Sequence, residues 1–86
     1  MFITRKTVAD KLAAYLHHET PPAELVDWAE SAMMESEFDE TDFEKIRDVV
    51  ARLGLADVRA FGLTWEDCEQ LLQRLGYSAR IEIVTA

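Results

Sequence analysis

The sequence contains very few of the residues that cross-link or interrupt a chain. Cys68 is the only cysteine among 86 residues, so no disulfide can form within the chain. Secreted domains of this size usually carry several disulfides, and we therefore expect a reducing, cytoplasmic location. Only three glycines and two prolines are present. That scarcity favours helices over a meander of short strands and turns.

Basic residues and long hydrophobic runs are also scarce. Nine lysines and arginines stand against seventeen acids, which gives a formal charge of −8 and a pI near 4.6. Phosphate backbones and anionic lipids repel such a surface, so we expect neither a nucleic acid nor a membrane as the partner, but a cationic molecule. No run approaches the ~18 apolar residues that a membrane-spanning helix needs. The basic residues Arg5 and Lys6 are not followed by an apolar stretch, so we expect no signal peptide.

The chain does have clear helical periodicity. Hydrophobic residues make up 49% of it, as in globular proteins, and its length suits a single domain over residues 1–86 with one core. Apolar spacing predicts a first helix that is capped by Thr4 or Thr7 and reaches about His18. A second helix is predicted to begin with Thr20 or Pro21 as its cap. Because the connection is tight, we expect these two helices to form an antiparallel hairpin.

A third helix is predicted from a start signal of two aromatic residues around an acid. With Asp39 as N-cap, Phe38 and Phe43 occupy the positions of a hydrophobic staple. Gly54 fits a left-handed stop at the other end. The spacing of apolar residues from Leu55 to Gly62 predicts one or two further helical turns.

The fourth helix has a capping box. Thr64 is its predicted cap, Asp67 occupies the reciprocal position, and Gly76 ends the helix. Its apolar face predicts a set of buried residues: Cys68, Leu71, Leu72 and Leu75. Burial makes Cys68 a structural thiol rather than a reactive one.

The tail changes to strand periodicity. Apolar and polar residues alternate from Tyr77 to Val84, which predicts a β-strand. Phe2-Ile3-Thr4 is a candidate partner, but a two-stranded ribbon needs helices beneath it or a second copy of the chain. The predicted fold is therefore mainly α: a compact bundle of four main helices with a short connecting helical turn and a C-terminal β-strand.

No motif for catalysis or cofactor binding is present. His17 and His18 are neighbours on the predicted helix, where adjacent side chains point about 100° apart. They therefore cannot chelate one metal ion without a distant third ligand. Trp28 and Trp65 fall on apolar faces and are predicted to be core residues. The neighbouring methionines Met33-Met34, of which only one can face the core, are interpreted as gap-filling residues; the alternative is an adaptable contact surface. We predict no catalytic residue, no metal, no cofactor and no small-molecule substrate. An enzyme that uses paired carboxylates is the weakest alternative, because so short a chain leaves little room for a pocket that would shift their pKa values.

One segment is unusually acidic. Six of the ten residues from Glu35 to Glu44 are acids. They are the candidate partner-binding residues: Glu35, Glu37, Asp39, Glu40, Asp42 and Glu44. Acids in a first helical turn are stabilised by the helix dipole, so the segment is alternatively only a solvated helix entrance. Glu35 and Glu37 precede that turn, and Glu40 and Glu44 would form a like-charge i, i+4 pair, so the local benefit is small.

A family resemblance is carried by two stretches of the chain. The stretch from Thr20 to Trp28, TPPAELVDW, and the stretch from Asp39 to Ile46, DETDFEKI, resemble the second-helix region of the immunity proteins that neutralise DNase colicins and pyocins. Those are acidic four-helix proteins that block a basic nuclease through an acidic surface. Their paired tyrosines on a short third helix have no counterpart here, where Leu55 to Gly62 offers only Phe61. The chain is equally similar to small uncharacterised bacterial helical proteins.

These observations predict a non-catalytic protein-binding module whose acidic surface docks a basic protein, as an immunity protein or antitoxin would. The alternative is a homodimeric structural protein that assembles through its C-terminal strand, because an open strand edge is usually paired or covered.

Overall fold

The computed structural model describes residues 2–55 and 63–79. The elements in these two stretches follow one another as β1 (Phe2–Ile3), α1 (Arg5–Leu16), α2 (Pro22–Glu35), β2 (Glu37–Phe38), α3 (Phe43–Gly54) and α4 (Trp65–Arg74). The mainly α fold is thus confirmed, with four helices in the described stretches. The predicted connecting turn falls on residues 56–62 and most of the predicted tail strand on residues 80–84, outside the described residues. Residues 77–79 are not in a strand, so the tail strand is not confirmed.

Two helices begin with reciprocal capping boxes. Thr4 is the cap of α1: its hydroxyl accepts the Thr7 N–H at 3.2 Å, and the Thr7 hydroxyl accepts the Thr4 N–H at 3.2 Å. The predicted box of α4 is confirmed, because the same two bonds join Thr64 and Asp67 at 3.1 and 3.0 Å. Of the two predicted caps of α2, Pro21 is the one observed, and it provides no side-chain hydrogen bond.

Two helices end in a left-handed residue. Gly76 has φ +90° after α4, as predicted, and the Tyr77 N–H returns to the Leu72 carbonyl at 2.9 Å. After α1, His18 takes this role with φ 62°, and the Glu19 N–H reaches the Ala14 carbonyl at 2.9 Å. The predicted end of α1 near His18 is therefore two residues late, because a left-handed residue cannot continue the helix.

The predicted start and stop of α3 are both wrong. The N-cap is Asp42, not Asp39; it has φ 63° and makes no side-chain cap bond. Phe38 belongs to β2, and the Asp39 N–H donates to the Ile3 carbonyl at 2.9 Å, so the chain stays extended through this point. The other end of α3 includes Gly54, and Leu55 follows with a right-handed φ of −94°. Gly54 is therefore not a left-handed stop.

The core draws on all four helices and β1. Its most enclosed side chains include Ile3, Leu12, Leu25, Ile46, Leu53, Leu75 and Cys68. The predicted burial of Cys68 is confirmed, since its exposure is 0%. α2 packs most extensively on α3 and only sparsely on α1, so the expected α1–α2 hairpin is not the main packing of α2. Within the described residues, no helix has both the length and the apolarity required to cross a membrane.

Candidate docking surface

The acidic segment, residues 35–44, is a short strand and turn between two helices. Glu35 is the last residue of α2, Glu37 lies in β2, and Glu44 is in the first turn of α3. Glu40 precedes α3. Because Glu40 is not helical, the predicted i, i+4 repulsion between Glu40 and Glu44 on one helix does not arise.

A parallel strand pair fixes this segment to the core. Phe2 is paired with Glu37 and Ile3 with Phe38. Residues paired in this way project from the same face of the sheet. Ile3 is fully buried and Phe38 packs against the core, whereas Phe2 and Glu37 are exposed. Phe2-Ile3-Thr4 is a candidate partner of the predicted tail strand; within the described residues, β1 pairs with the acidic segment.

Two of the six predicted site residues serve the local structure. The Asp39 carboxylate accepts the Thr41 N–H at 3.0 Å, which closes a tight turn. The Asp42 carboxylate lies 3.5 Å from Nε of Arg5. Both acids therefore have structural roles in the segment, and of the two only Asp42 is ion-paired within the described residues.

The other four carboxylates have no partner among the residues that the structure describes. Glu35, Glu37, Glu40 and Glu44 are exposed. None has an ion pair or side-chain hydrogen bond within residues 2–55 and 63–79. The six predicted residues are thus brought together along one short segment, with four charges facing solvent.

Arg5 joins this segment to the end of α4, and sequence reasoning missed this role. Besides its pair with Asp42, Arg5 donates from Nη1 to the Leu75 carbonyl at 3.1 Å. Its guanidinium carbon lies 5.8 Å from the centre of the Tyr77 ring. A base in the first turn of a helix opposes the helix dipole. That unfavourable placement was the available signal that Arg5 has partners outside α1.

Exposed apolar side chains flank the acidic segment. Phe2 is 57% exposed, Met33 42%, Met34 83% and Phe43 40%. The prediction that the methionines fill core gaps is therefore wrong. Phe43 packs edge-on against Phe38 with ring centres 5.9 Å apart. Apolar anchors beside a charged rim are a common composition for protein interfaces.

A small cavity opens along the last turns of α2. It has a volume of about 190 Å³ and is lined by Trp28, Ser31, Ala32, Glu35 and Ser36. Nζ of Lys11 lies 5.4 Å from the centre of the Trp28 ring but does not line the cavity. Nε1 of Trp28 is enclosed and has no hydrogen-bond acceptor. Trp28 is half-buried against the core, in partial agreement with its predicted core role.

Two larger grooves share Trp65 in their linings. Their volumes are about 540 and 520 Å³, and each includes a histidine, His18 in the first and His17 in the second. These volumes fall within the range of small-molecule pockets. The shortness of the chain had led us to expect no groove of this size. Shifted pKa values occur at Lys6, Asp67 and Cys68, none of which lines either groove.

Local contacts account for each of these shifts. The hydrogen bond and charge of Asp10 raise the pKa of Lys6, and the hydrogen bond from the Thr64 N–H lowers the pKa of Asp67. Burial raises the pKa of the Cys68 thiol. In the part of the chain that the structure describes, no group of three His, Cys, Asp or Glu residues is placed to hold a metal ion.

Comparisons of the chain with protein-family models, curated protein sequences and solved structures find no significant match. A function is therefore inferred from the geometry of the described residues.

Proposed function

We propose that this chain is a non-catalytic binding module that docks a basic protein on its acidic segment, as an immunity protein or antitoxin does. The observation that carries this proposal is a set of four exposed carboxylates on one segment, which have no ion pair with any described residue: Glu35, Glu37, Glu40 and Glu44. Carboxylates held in one place attract a cationic surface and speed its encounter with the right orientation.

The position of these acids supports docking over the simpler view of a solvated helix entrance. Only Glu44 lies in a first helical turn, where the dipole favours an acid. Glu35 ends α2, where the dipole disfavours one. Glu37 and Glu40 lie in no helix. The helix dipole therefore accounts for the position of only one of these four carboxylates, that of Glu44.

The segment is also held in place before any partner arrives. β1 pairs with β2, Asp39 closes the turn, and Arg5 binds Asp42. A preorganised surface loses less conformational entropy on binding. The exposed Phe2, Met34 and Phe43 supply apolar contact area that carboxylates alone lack.

A cytoplasmic location fits this proposal, because Cys68 is free and buried. The C-terminal strand, and the homodimer it would build, remain a prediction that falls mostly on residues outside the described ones.

The test is a comparison of two variants with the same charge change. The first replaces Glu37, Glu40 and Glu44 with Gln. The control replaces three exposed acids elsewhere, Glu19, Glu24 and Glu66, with Gln. Both sets lie on the surface, where single changes usually alter stability by less than about 0.5 kcal/mol, so both should fold. Thermal unfolding checks that they do.

Each protein is then used to capture partners from the source cell at low salt. The wild type and the control variant should recover the same basic protein, and the first variant should lose most of it. An equal loss in both variants would mean that net charge, and not the acidic segment, directs binding. Undiminished recovery by both would mean that these carboxylates do not direct binding at all.

A further inference from the structure

We propose that the cavity on the last turns of α2 receives one arginine side chain of the basic partner. This inference rests on the proposed function, since it names how that partner is recognised. The guanidinium would pair with the Glu35 carboxylate and lie on the Trp28 indole. At about 190 Å³, the cavity is smaller than the ~300 Å³ at which metabolite pockets begin and suits a single side chain.

The charge of this corner points to a cation. Glu35 is exposed and unpaired within the described residues. It sits at the negative end of α2, and the last turn of that helix contains no base. A carboxylate added to the negative end of a helix is locally unfavourable and is relieved by an external cation. An acid at the C-terminal end of a helix is a departure from the usual pattern, and no described residue of this chain offsets its charge.

The aromatic wall points to a planar cation. Trp28 and Glu35 are seven residues apart on α2 and line the same cavity. Indole is the strongest of the aromatic partners for cations, and Lys11 already lies near this ring. A guanidinium can stack on the ring and offer a two-pronged hydrogen bond to a carboxylate, which an ammonium cannot.

The lining offers further polar groups. Hydroxyls of Ser31 and Ser36 border the cavity. Nε1 of Trp28 is enclosed without an acceptor, an arrangement rare in folded proteins.

The test uses two probes, a blocked tri-arginine peptide and its tri-lysine counterpart, and follows the nitrogen–proton resonances of the full chain at low salt. The indole signals of the two tryptophans, Trp28 and Trp65, are assigned with Trp28→Phe. Tri-arginine should shift the Trp28 signal in a saturable manner and leave that of Trp65 unchanged. Tri-lysine should bind about fivefold more weakly, because it loses the stacked, forked contact.

Two charge-matched variants locate the contact. Glu35→Gln should weaken tri-arginine binding about fivefold, whereas Glu44→Gln should change it by less than about twofold. If the amides of the acidic segment shift but the Trp28 indole does not, and the two variants weaken binding equally, the cavity assignment is wrong while acidic docking stands. Equal binding of both peptides would overturn the choice of arginine. Absence of any shift would contradict acidic docking itself and this inference with it.

Discussion

Replacing Gly76 with alanine tests the contact by which Arg5 holds the acidic segment to the end of α4. Gly76 has φ +90°, and a Cβ built there would lie 2.7 Å from Nη1 of Arg5. Such a separation is shorter than van der Waals contact allows. Arg5 would therefore have to move, and it would lose its 3.1 Å hydrogen bond to the Leu75 carbonyl.

The expected loss of stability has two parts. A left-handed conformation costs an L-residue roughly 1–2 kcal/mol, partly offset by about 0.4–1 kcal/mol because alanine restricts the unfolded chain. Displacing a half-exposed guanidinium from a carbonyl adds about 0.5–1 kcal/mol. Gly76→Ala should therefore lower the free energy of unfolding by about 1–2 kcal/mol, which corresponds to a fall of roughly 4–16 °C in Tm for a domain of this size.

A double-mutant cycle with Arg5→Ala separates the two parts. Urea unfolding is measured for the wild type, each single variant and the double variant. In the Arg5→Ala background the clash is absent, so Gly76→Ala should cost about 0.5–1 kcal/mol less than in the wild type. If the cost is the same in both backgrounds, the two residues are not in contact and Arg5 does not join these elements.

The remaining predictions concern a strained helix end, the buried thiol and the oligomeric state. His18→Gly should raise the free energy of unfolding by about 0.5 kcal/mol in thermal melts, because His18 is left-handed at φ 62° and glycine relieves that strain at a smaller entropic cost; a lower Tm would contradict this. Because burial raises the pKa of Cys68, the unfolded chain loses the thiol proton first as the pH rises. The stability that this thiol contributes should therefore be constant below about pH 8.5 and fall above it. Urea midpoints from pH 8 to 10.5 should show a smaller fall in Cys68→Ala than in the wild type, and equal slopes would contradict burial of the thiol. For the homodimer alternative, light scattering should give twice the mass of one chain, and a monomer mass would eliminate it.

The helices were predictable because their signals are local. Thr64 and Asp67 lie three residues apart and make both bonds of a capping box, and Gly76 stops the helix it follows. Burial of Cys68 followed from its spacing to Leu71 and Leu72. The strand pair was not predictable, since Phe2–Ile3 and Glu37–Phe38 are too short to show an alternating pattern. The pairing keeps the chain extended through Asp39. Because the pairing was not predicted, the start of α3 was predicted too early in the chain.

The candidate site was predictable as a segment but not in its internal roles. Six acids in ten residues are plain in the sequence. The division into two structural acids, Asp39 and Asp42, and four free ones depends on a turn and on Arg5, which is remote in the chain. The exposure of Met33 and Met34 likewise depends on how far α3 covers α2. The spacing of apolar residues in the sequence does not show this.

The central claim is that the free acids of residues 35–44 attract a basic partner, and the salt dependence of the association rate tests it most directly. Stopped-flow mixing with the captured partner is repeated between about 20 and 500 mM salt, a range that shortens electrostatic reach from roughly 20 Å to less than 5 Å. For the wild type and for the Glu19, Glu24 and Glu66 control, the rate constant should fall steeply as salt rises. For the variant with Gln at Glu37, Glu40 and Glu44, it should start lower and change little. Parallel curves for the two variants would contradict the claim.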